Sequence, residues 1–352
     1  MNREDTLLEP RKQTKATSRR RLARSEKASS EKKKMKAAAL DRFGPPSVLT
    51  IHELPVPEPG RSEVLIALHA AGVGVWDADI RQGWWPQGRP EFPLVLGSDG
   101  AGVVAGLGAS VRRFHEGDRV WAYEFINPKG GFYAEYVAVS ADHVSLVPER
   151  LNLLQAGAAV VTGLTALQGI DVHLDVRSGE TALIFGASGA VGSLAVQFAR
   201  RHGAQVIGTA RGPEAKRFVA KLGADKAIDT ASGDVVEEVR AFAPAGIDAV
   251  LALAGGEALQ KLLTLVRPGG RVAYPNGVEP EPKGSRKVKL ASYDAEVGPR
   301  EFARLSQAVE ETRLQVPLAA VYPLEQAAQA HRRLDQGQVL GRIALQIRKR
   351  IK

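Results

Sequence analysis

The residues with the clearest chemical meaning are Gly186, Ala187, Ser188, Gly189, Ala190, Val191 and Gly192. They lie between an apolar run, residues 181–185, and a helix-patterned run, residues 190–200, with a second apolar run at 205–210. A glycine turn that ends a strand and opens a helix aims unpaired backbone N–H groups, and the positive end of the helix dipole, at a diphosphate. The spacing is G-x-x-G-x-x-G and not the usual G-x-G-x-x-G, so the order strand–turn–helix–strand carries more of the reading than the letters. An ordinary glycine-rich turn is the competing reading. A serine nucleophile at Ser188 would need G-x-S-x-G, and Ala190 stands at the last position.

Such a loop needs a sheet to hold it. Apolar strands are expected at 181–186, 205–210, 226–229, 247–253 and 271–274, alternating with helical segments. That alternation predicts an α/β fold with a doubly wound parallel sheet. Helices are expected at 300–313 and 327–334, and a strand at 342–347 that returns to the first domain. Residues 35–150 read differently. Short strands at 64–70, 97–104, 117–122 and 136–139, separated by Gly and Pro turns, predict a compact barrel-like domain.

The length of 352 residues suits two domains, and 44% hydrophobic with 25% charged residues is ordinary for a globular chain. No run reads as long and apolar enough to span a membrane. Cysteine is absent, which excludes disulfides, a thiolate nucleophile and cysteine-ligated zinc. A cytoplasmic location is the expectation. The net charge of +9 is unevenly spread, because residues 1–34 carry 12 Lys/Arg against 5 Asp/Glu. That stretch has no aromatic residue and little apolar periodicity, so a disordered basic extension is expected there. It reads as dispensable or as an upstream start, with Met35 opening the folded domain. Two other readings are a nucleic-acid or acidic-surface arm, using Arg19–Arg21 and Lys32–Lys34, and a cleaved transit peptide. Glu4, Asp5, Glu9, Glu26 and Glu31 spoil the acid-poor pattern of the latter.

Several segments together resemble a known family. They are Lys36-Ala37-Ala38 with Phe43-Gly44; Ala70-Ala71-Gly72-Val73 with Asp77 and Ile80-Arg81; residues 97–102; and Gly117-Asp118-Arg119-Val120. Gly131-Phe132 with Ala134-Glu135-Tyr136, residues 162–167, the glycine loop and residues 267–272 complete the set. The chain resembles the medium-chain dehydrogenase/reductase superfamily, in its zinc-free quinone oxidoreductase (zeta-crystallin-like) branch, over about residues 35–350. The resemblance implies a GroES-like domain over 35–158 completed by 314–352, a Rossmann NADPH-binding domain over 159–313, an active site in the cleft and a homodimer.

Zinc-dependent relatives place Cys where Gly74 stands and G-H-E where Gly97-Ser98-Asp99 stands. Both ligand types are missing, and none of the seven histidines forms a tight ligand spacing, so no metal is expected. His69 reads as a hydrogen-bonded structural residue.

An NAD enzyme usually carries an acid at the end of the second strand to accept the ribose hydroxyls. Here that strand ends in Ala210, with Arg211 next and Lys216 five residues on, which favours the 2′-phosphate of NADPH. Solvated surface cations are the alternative. The resemblance adds Thr162, beginning the helix that faces the nicotinamide; Ala254, Gly255 and Gly256 after the fourth strand; and Tyr274, Pro275, Asn276 and Gly277 after the fifth.

The family often has Asn, Tyr and Tyr where Gly74, Asp79 and Trp85 stand. Without those tyrosines the catalytic candidates are Trp85 and Tyr123, with water as the alternative proton donor. Trp76, Trp84, Trp85, Phe92 and Tyr123 could form an aromatic wall, although Trp76 and Phe92 are expected in the core. The expected activity is zinc-independent, NADPH-dependent hydride transfer to a quinone or α,β-unsaturated carbonyl. The alternatives are an enoyl-thioester reductase and a non-catalytic NADPH-binding or RNA-binding crystallin-like protein.

Overall fold

A computed structural model of the chain describes residues 33–86 and 88–348. The expectations for the basic N-terminal stretch lie outside these residues, apart from its last two lysines.

The first part of the chain supplies strands β1 (Lys34–Leu40), β2 (Leu49–Pro55) and β3 (Glu63–Val73), helix α1 (Val75–Gln82), and strands β4 (Leu94–Val95), β5 (Asp99–Leu107), β6 (Arg119–Tyr123), β7 (Tyr136–Ser140) and β8 (Val144–Leu146). Helix α2 (Leu153–Gln168) leads into the second part. There β9 (Thr181–Phe185), β10 (Gln205–Ala210), β11 (Lys226–Asp229), β12 (Ile247–Ala252), β13 (Val266–Pro275) and β14 (Lys289–Tyr293) alternate with α3 (Ala190–Arg201), α4 (Pro213–Lys221), α5 (Val235–Phe242) and α6 (Glu257–Leu263). Helix α7 (Pro299–Thr312), β15 (Leu318–Pro323), α8 (Ala327–Asp335) and β16 (Arg342–Gln346) end the fold.

Strands β9–β14 form one sheet in the order β11-β10-β9-β12-β13-β14, with every pair parallel. Every residue of β9 and β12 is buried, as expected for strands covered by helices on both faces. The order reverses direction beside β9, and the crevice beyond the strand ends at that point is where such sheets bind ligands. The other large sheet runs β15-β16-β3-β5-β6-β8, with β7 also on β3, and β2-β1-β4 forms a smaller one. The C-terminal β16 pairs antiparallel with β3, setting Ile343 opposite Val73 and Gln346 opposite Ala70. The β-rich unit is therefore closed by both ends of the described chain.

Helix α2 couples the two halves. Asn152 caps it with a reciprocal box: its side chain accepts the Gln155 N–H at 2.9 Å, and the Gln155 side chain accepts the Asn152 N–H at 3.2 Å. Together with the short π-turn that follows, it spans Leu153–His173, and it is long and apolar enough to cross a membrane. This corrects the expectation that no such run exists. Its 89% burial inside the fold makes it a core helix, apolar on all sides because it packs on all sides. One continuous core joins Trp121 of β6, the apolar face of α2 and Phe302 of α7, with the two rings 6.0 Å apart.

Candidate active site

Gly186 follows β9 at φ +87°, a left-handed turn that glycine makes without strain. Its N–H donates to Thr209 Oγ1 at 3.0 Å, and the Ala187 N–H donates to the Thr209 carbonyl at 2.8 Å, so the loop is tied to β10. The Gly189 N–H closes the turn onto the Gly186 carbonyl at 3.2 Å. The N–H groups of Val191 and Gly192, in the first turn of α3, have no protein partner among the described residues. Such a cradle suits a diphosphate, and the loop residues fit the dinucleotide that the fold implies. The loop is also fastened from the other unit. The Gly341 N–H donates to the Ser188 carbonyl at 2.9 Å, and Gly189 bridges Gly341.

The spacing G-x-x-G-x-x-G has a packing reason. A Cβ on Gly192 would sit 2.3 Å from the Gly186 carbonyl oxygen and 2.7 Å from Ala187 Cα. Gly192→Ala is therefore expected to cost about 2 kcal/mol in urea unfolding, because backbone must move to admit the methyl. A cost below about 0.5 kcal/mol would show that the loop yields freely.

At the end of β10, Ala210 is buried and Arg211 is exposed, with Lys216 half-buried in the first turns of α4. Asp229 does not replace the missing acid. Its Oδ1 accepts the N–H groups of Gly212 at 2.7 Å and Ala231 at 2.9 Å, and these bonds hold its pKa below the usual carboxylate range.

Other expected positions fall as follows. Ala254, Gly255 and Gly256 follow β12. A Cβ on Gly255 would lie 2.1 Å from the Pro280 carbonyl oxygen, so close backbone packing by itself requires glycine there. Tyr274 and Pro275 belong to β13, which corrects their placement after the strand, and Asn276 and Gly277 follow it. Asn276 donates Nδ2–H to Asp294 at 2.8 Å. Thr162 does not begin a helix: Asn152 caps α2 ten residues earlier, and Thr162 is buried mid-helix with its hydroxyl given to the Ala158 carbonyl at 3.2 Å. His69 Nδ1 is buried without a hydrogen-bond partner, contrary to the reading of its side chain as hydrogen-bonded.

Of the catalytic candidates, Trp85 is half-buried against the core of the β-rich unit. Tyr123 lies opposite Asp99 in the β5–β6 register. Burial, and then the charges of Asp99, Asp294, Asp77 and Glu124, push its pKa far up. Tyr123 can thus donate a hydrogen bond to a developing oxyanion, but it holds its proton too tightly to be a ready acid. Phe92 is 41% exposed, stacked edge-on against Phe43 at 5.4 Å, and Trp76 is half-buried, so neither is the core residue expected.

A buried polar network beneath these residues has no counterpart in the sequence reading. Arg342 Nη2 donates to Asp99 Oδ1 at 3.0 Å, and Asp99 Oδ2 accepts the Val161 N–H of α2 at 3.3 Å. Asp77 Oδ2 accepts the Gly74 N–H at 2.8 Å and the Tyr133 hydroxyl at 3.1 Å. Desolvation raises the pKa of Asp77 to about 7, against the pull of those bonds and of Arg342. Asp77, Ile80-Arg81 and residues 97–102 carried the resemblance, but their partner Arg342 lies 243 residues from Asp99, beyond any spacing pattern.

These positions do not fit the zinc of the metal-dependent relatives. Gly74 offers no donor, and the Ser98 hydroxyl accepts the Trp76 Nε1–H at 2.6 Å. No group of three or more His, Cys, Asp or Glu side chains is gathered among the described residues.

A doubly wound parallel sheet with a glycine loop beside its switch point, joined to a β-rich unit at a shared core, is the architecture of nicotinamide-dependent oxidoreductases. The comparisons make the class specific. Residues 60–149 match the alcohol dehydrogenase GroES-like domain, and residues 222–345 match the zinc-binding dehydrogenase family. Mouse quinone oxidoreductase is 32% identical over 319 residues, covering 87% of this chain and 95% of that protein. A crystal structure described as an NAD-dependent alcohol dehydrogenase is 32% identical with a TM-score of 0.83, covering 89% of this chain and all of that one. A mycobacterial protein solved with NADPH is 27% identical with a TM-score of 0.77, covering 89% of this chain and all of that one. The chain belongs to the medium-chain dehydrogenase/reductase superfamily, in its quinone oxidoreductase, zeta-crystallin-like branch.

Proposed function

We propose that this protein is a zinc-independent reductase that uses NADPH to reduce a quinone or an α,β-unsaturated carbonyl. The observation that carries the cofactor choice is the end of β10: Ala210 where an acid would exclude a phosphate, an exposed Arg211 beside it, and Asp229 committed to backbone N–H groups. Bound reduced nicotinamide supplies the hydride. The chain orients it through the loop 186–192 and offers the Tyr123 hydroxyl as a hydrogen-bond donor to the oxygen on which charge develops. Water supplies the proton, because burial and nearby carboxylates keep Tyr123 protonated. The exposed Leu290 of edge strand β14 supports a homodimer built on that sheet edge.

Steady-state kinetics over a panel of quinones, enones and enoyl thioesters tests the reading. NADPH is expected to exceed NADH in kcat/KM. In Arg211→Ala/Lys216→Ala the NADPH value falls roughly ten- to a hundredfold, the scale of one or two charge-assisted phosphate contacts, while the NADH value stays within about twofold. A wild-type preference for NADH would overturn the cofactor assignment. Tight NADPH binding without turnover of any acceptor would point to a binding protein.

A further inference from the structure

The first turn of α1 places Trp76 in an unusual setting. Its indole lies against the Cα of Gly74: a Cβ built there would be 2.4 Å from Trp76 Cε2 and 2.5 Å from Cζ2. Gly74 has φ −111° and ψ 161°, ordinary extended backbone, so the backbone itself does not call for glycine; the indole does. The ring is also held from two further directions. Its Nε1–H donates to Ser98 Oγ at 2.6 Å, and Ser98 is 1% exposed. The Arg342 guanidinium lies 5.1 Å from the ring centroid and is itself fixed by Asp99.

This pinned ring is linked to the glycine loop through Arg342. Arg342 follows Gly341, whose N–H holds the Ser188 carbonyl, and the Ser98 carbonyl accepts the Glu124 N–H at 2.8 Å, next to Tyr123. Trp76 nevertheless keeps part of its surface open. A large, rigid, partly open aromatic side chain of fixed orientation is suited to stacking on a flat ring.

We propose that Trp76 is the specificity-determining residue of the acceptor site: its indole, seated over Gly74 and pinned by Ser98 and Arg342, is the platform on which a planar acceptor stacks. Gly74 is glycine to seat that platform. The proposal rests on the reductase reading above and adds to it the selection of planar acceptors over small acyclic ones.

The test uses the full chain and three variants, Trp76→Leu, Trp76→Phe and Gly74→Ala, with folding checked by thermal unfolding. The acceptors are a two-ring naphthoquinone and methyl vinyl ketone. In Trp76→Leu, KM for the naphthoquinone rises about tenfold, the scale of one aromatic stacking contact, while kcat/KM for methyl vinyl ketone and the dissociation constant for NADPH stay within about twofold. Trp76→Phe recovers most of the naphthoquinone KM. Gly74→Ala reproduces the selective loss with the indole still present, because its methyl displaces the ring. Equal losses on both acceptors, or an unchanged naphthoquinone KM, overturn the proposal. Naphthoquinone binding to the NADP⁺ complex, measured by equilibrium dialysis, separates the two readings. If the wild type turns over neither acceptor, the reductase reading fails. The platform still stands if binding weakens about tenfold in Trp76→Leu, and falls if it does not.

Discussion

Replacing Arg342 with leucine is expected to destabilise the protein by about 4 kcal/mol, the cost of stripping a buried carboxylate of the one cation paired with it among the described residues. Arg342 is 4% exposed and Asp99 is fully buried. Desolvation pushes the Asp99 pKa up, and the guanidinium 3.0 Å away is the largest force pulling it back. The same charge helps Asp77, whose pKa is raised to about 7 by desolvation first and by the Asp99 charge in addition. Without Arg342, both must take up protons or stay charged in a medium that solvates neither. Leucine restores apolar volume, so the loss measures the uncompensated charge and not a cavity. Adding Asp99→Asn should return about half of the loss, since the amide needs no cation. Urea unfolding of the two single variants and the double variant at pH 7 gives the coupling. A single-variant cost below about 1 kcal/mol would show that water or another group already screens Asp99. Arg342 also directly follows Gly341, which fastens the Ser188 carbonyl of the glycine loop, so weaker binding of the proposed cofactor should accompany the lost stability.

The parts of this fold that the sequence reveals are those whose signals are local. Strands β9, β10, β11 and β12 are short apolar runs flanked by turns, and each falls within a residue of its expected place. The glycine loop is legible for the same reason, because strand, turn and helix are contiguous. Strand β14, Lys289–Tyr293, escapes notice: only Tyr293 is buried, and the segment is a strand because β13 offers it a parallel edge. Thr162 shows the opposite difficulty. The 162–167 motif looks like a beginning, but Asn152 and Gln155 start the helix three turns earlier through a capping box whose letters are plain once it is sought. The site beneath the cleft is least visible. Asp77, Tyr133 and His331 meet from α1, the segment before β7 and α8, and no periodicity links residues separated by 56 and 198 positions. The sequence leads to a core position for Trp76; its half-open position follows from the absent side chain at residue 74 and the hydroxyl at residue 98, which only the folded chain brings together.

The same network makes a second large effect expected, in the pH dependence of stability. His331 is fully buried. Its Nδ1 accepts Arg81 Nε–H at 3.2 Å, so Nε2 carries the proton and donates to Tyr133 Oη at 3.2 Å; the Tyr133 hydroxyl in turn donates to Asp77. Arg81 is anchored by Asp335 at 3.0 and 2.8 Å and by the Gly44 carbonyl at 3.0 Å. Burial first, and the Arg81 charge second, lower the His331 pKa to about 3, against 6.5 when unfolded. The unfolded chain therefore gains a proton below pH 6.5 that the folded chain refuses until about pH 3. The stability tied to neutral His331 is complete above pH 6.5 and is lost as pH falls through that window, at up to about 1.4 kcal/mol per pH unit. Asp77 acts in the opposite sense. Its folded pKa of about 7 lies above the unfolded 3.8, so the folded chain binds the extra proton between those values and stability rises as pH falls through them. The two slopes nearly cancel between pH 6.5 and 4. His331→Gln removes one of them while keeping an amide donor for Tyr133. At pH 7.5 the variant should be about 2 kcal/mol less stable than wild type, through one lost hydrogen bond and altered packing. That deficit should shrink below pH 6.5 and reverse near pH 5. Urea unfolding of both proteins across that range reads the difference directly, with the other carboxylates cancelling between them. A deficit that stays constant from pH 7.5 to 5 would mean that His331 takes up its proton at the same pH in the folded protein as in the unfolded chain, and the donor chain from Arg81 to Asp77 would have to run differently.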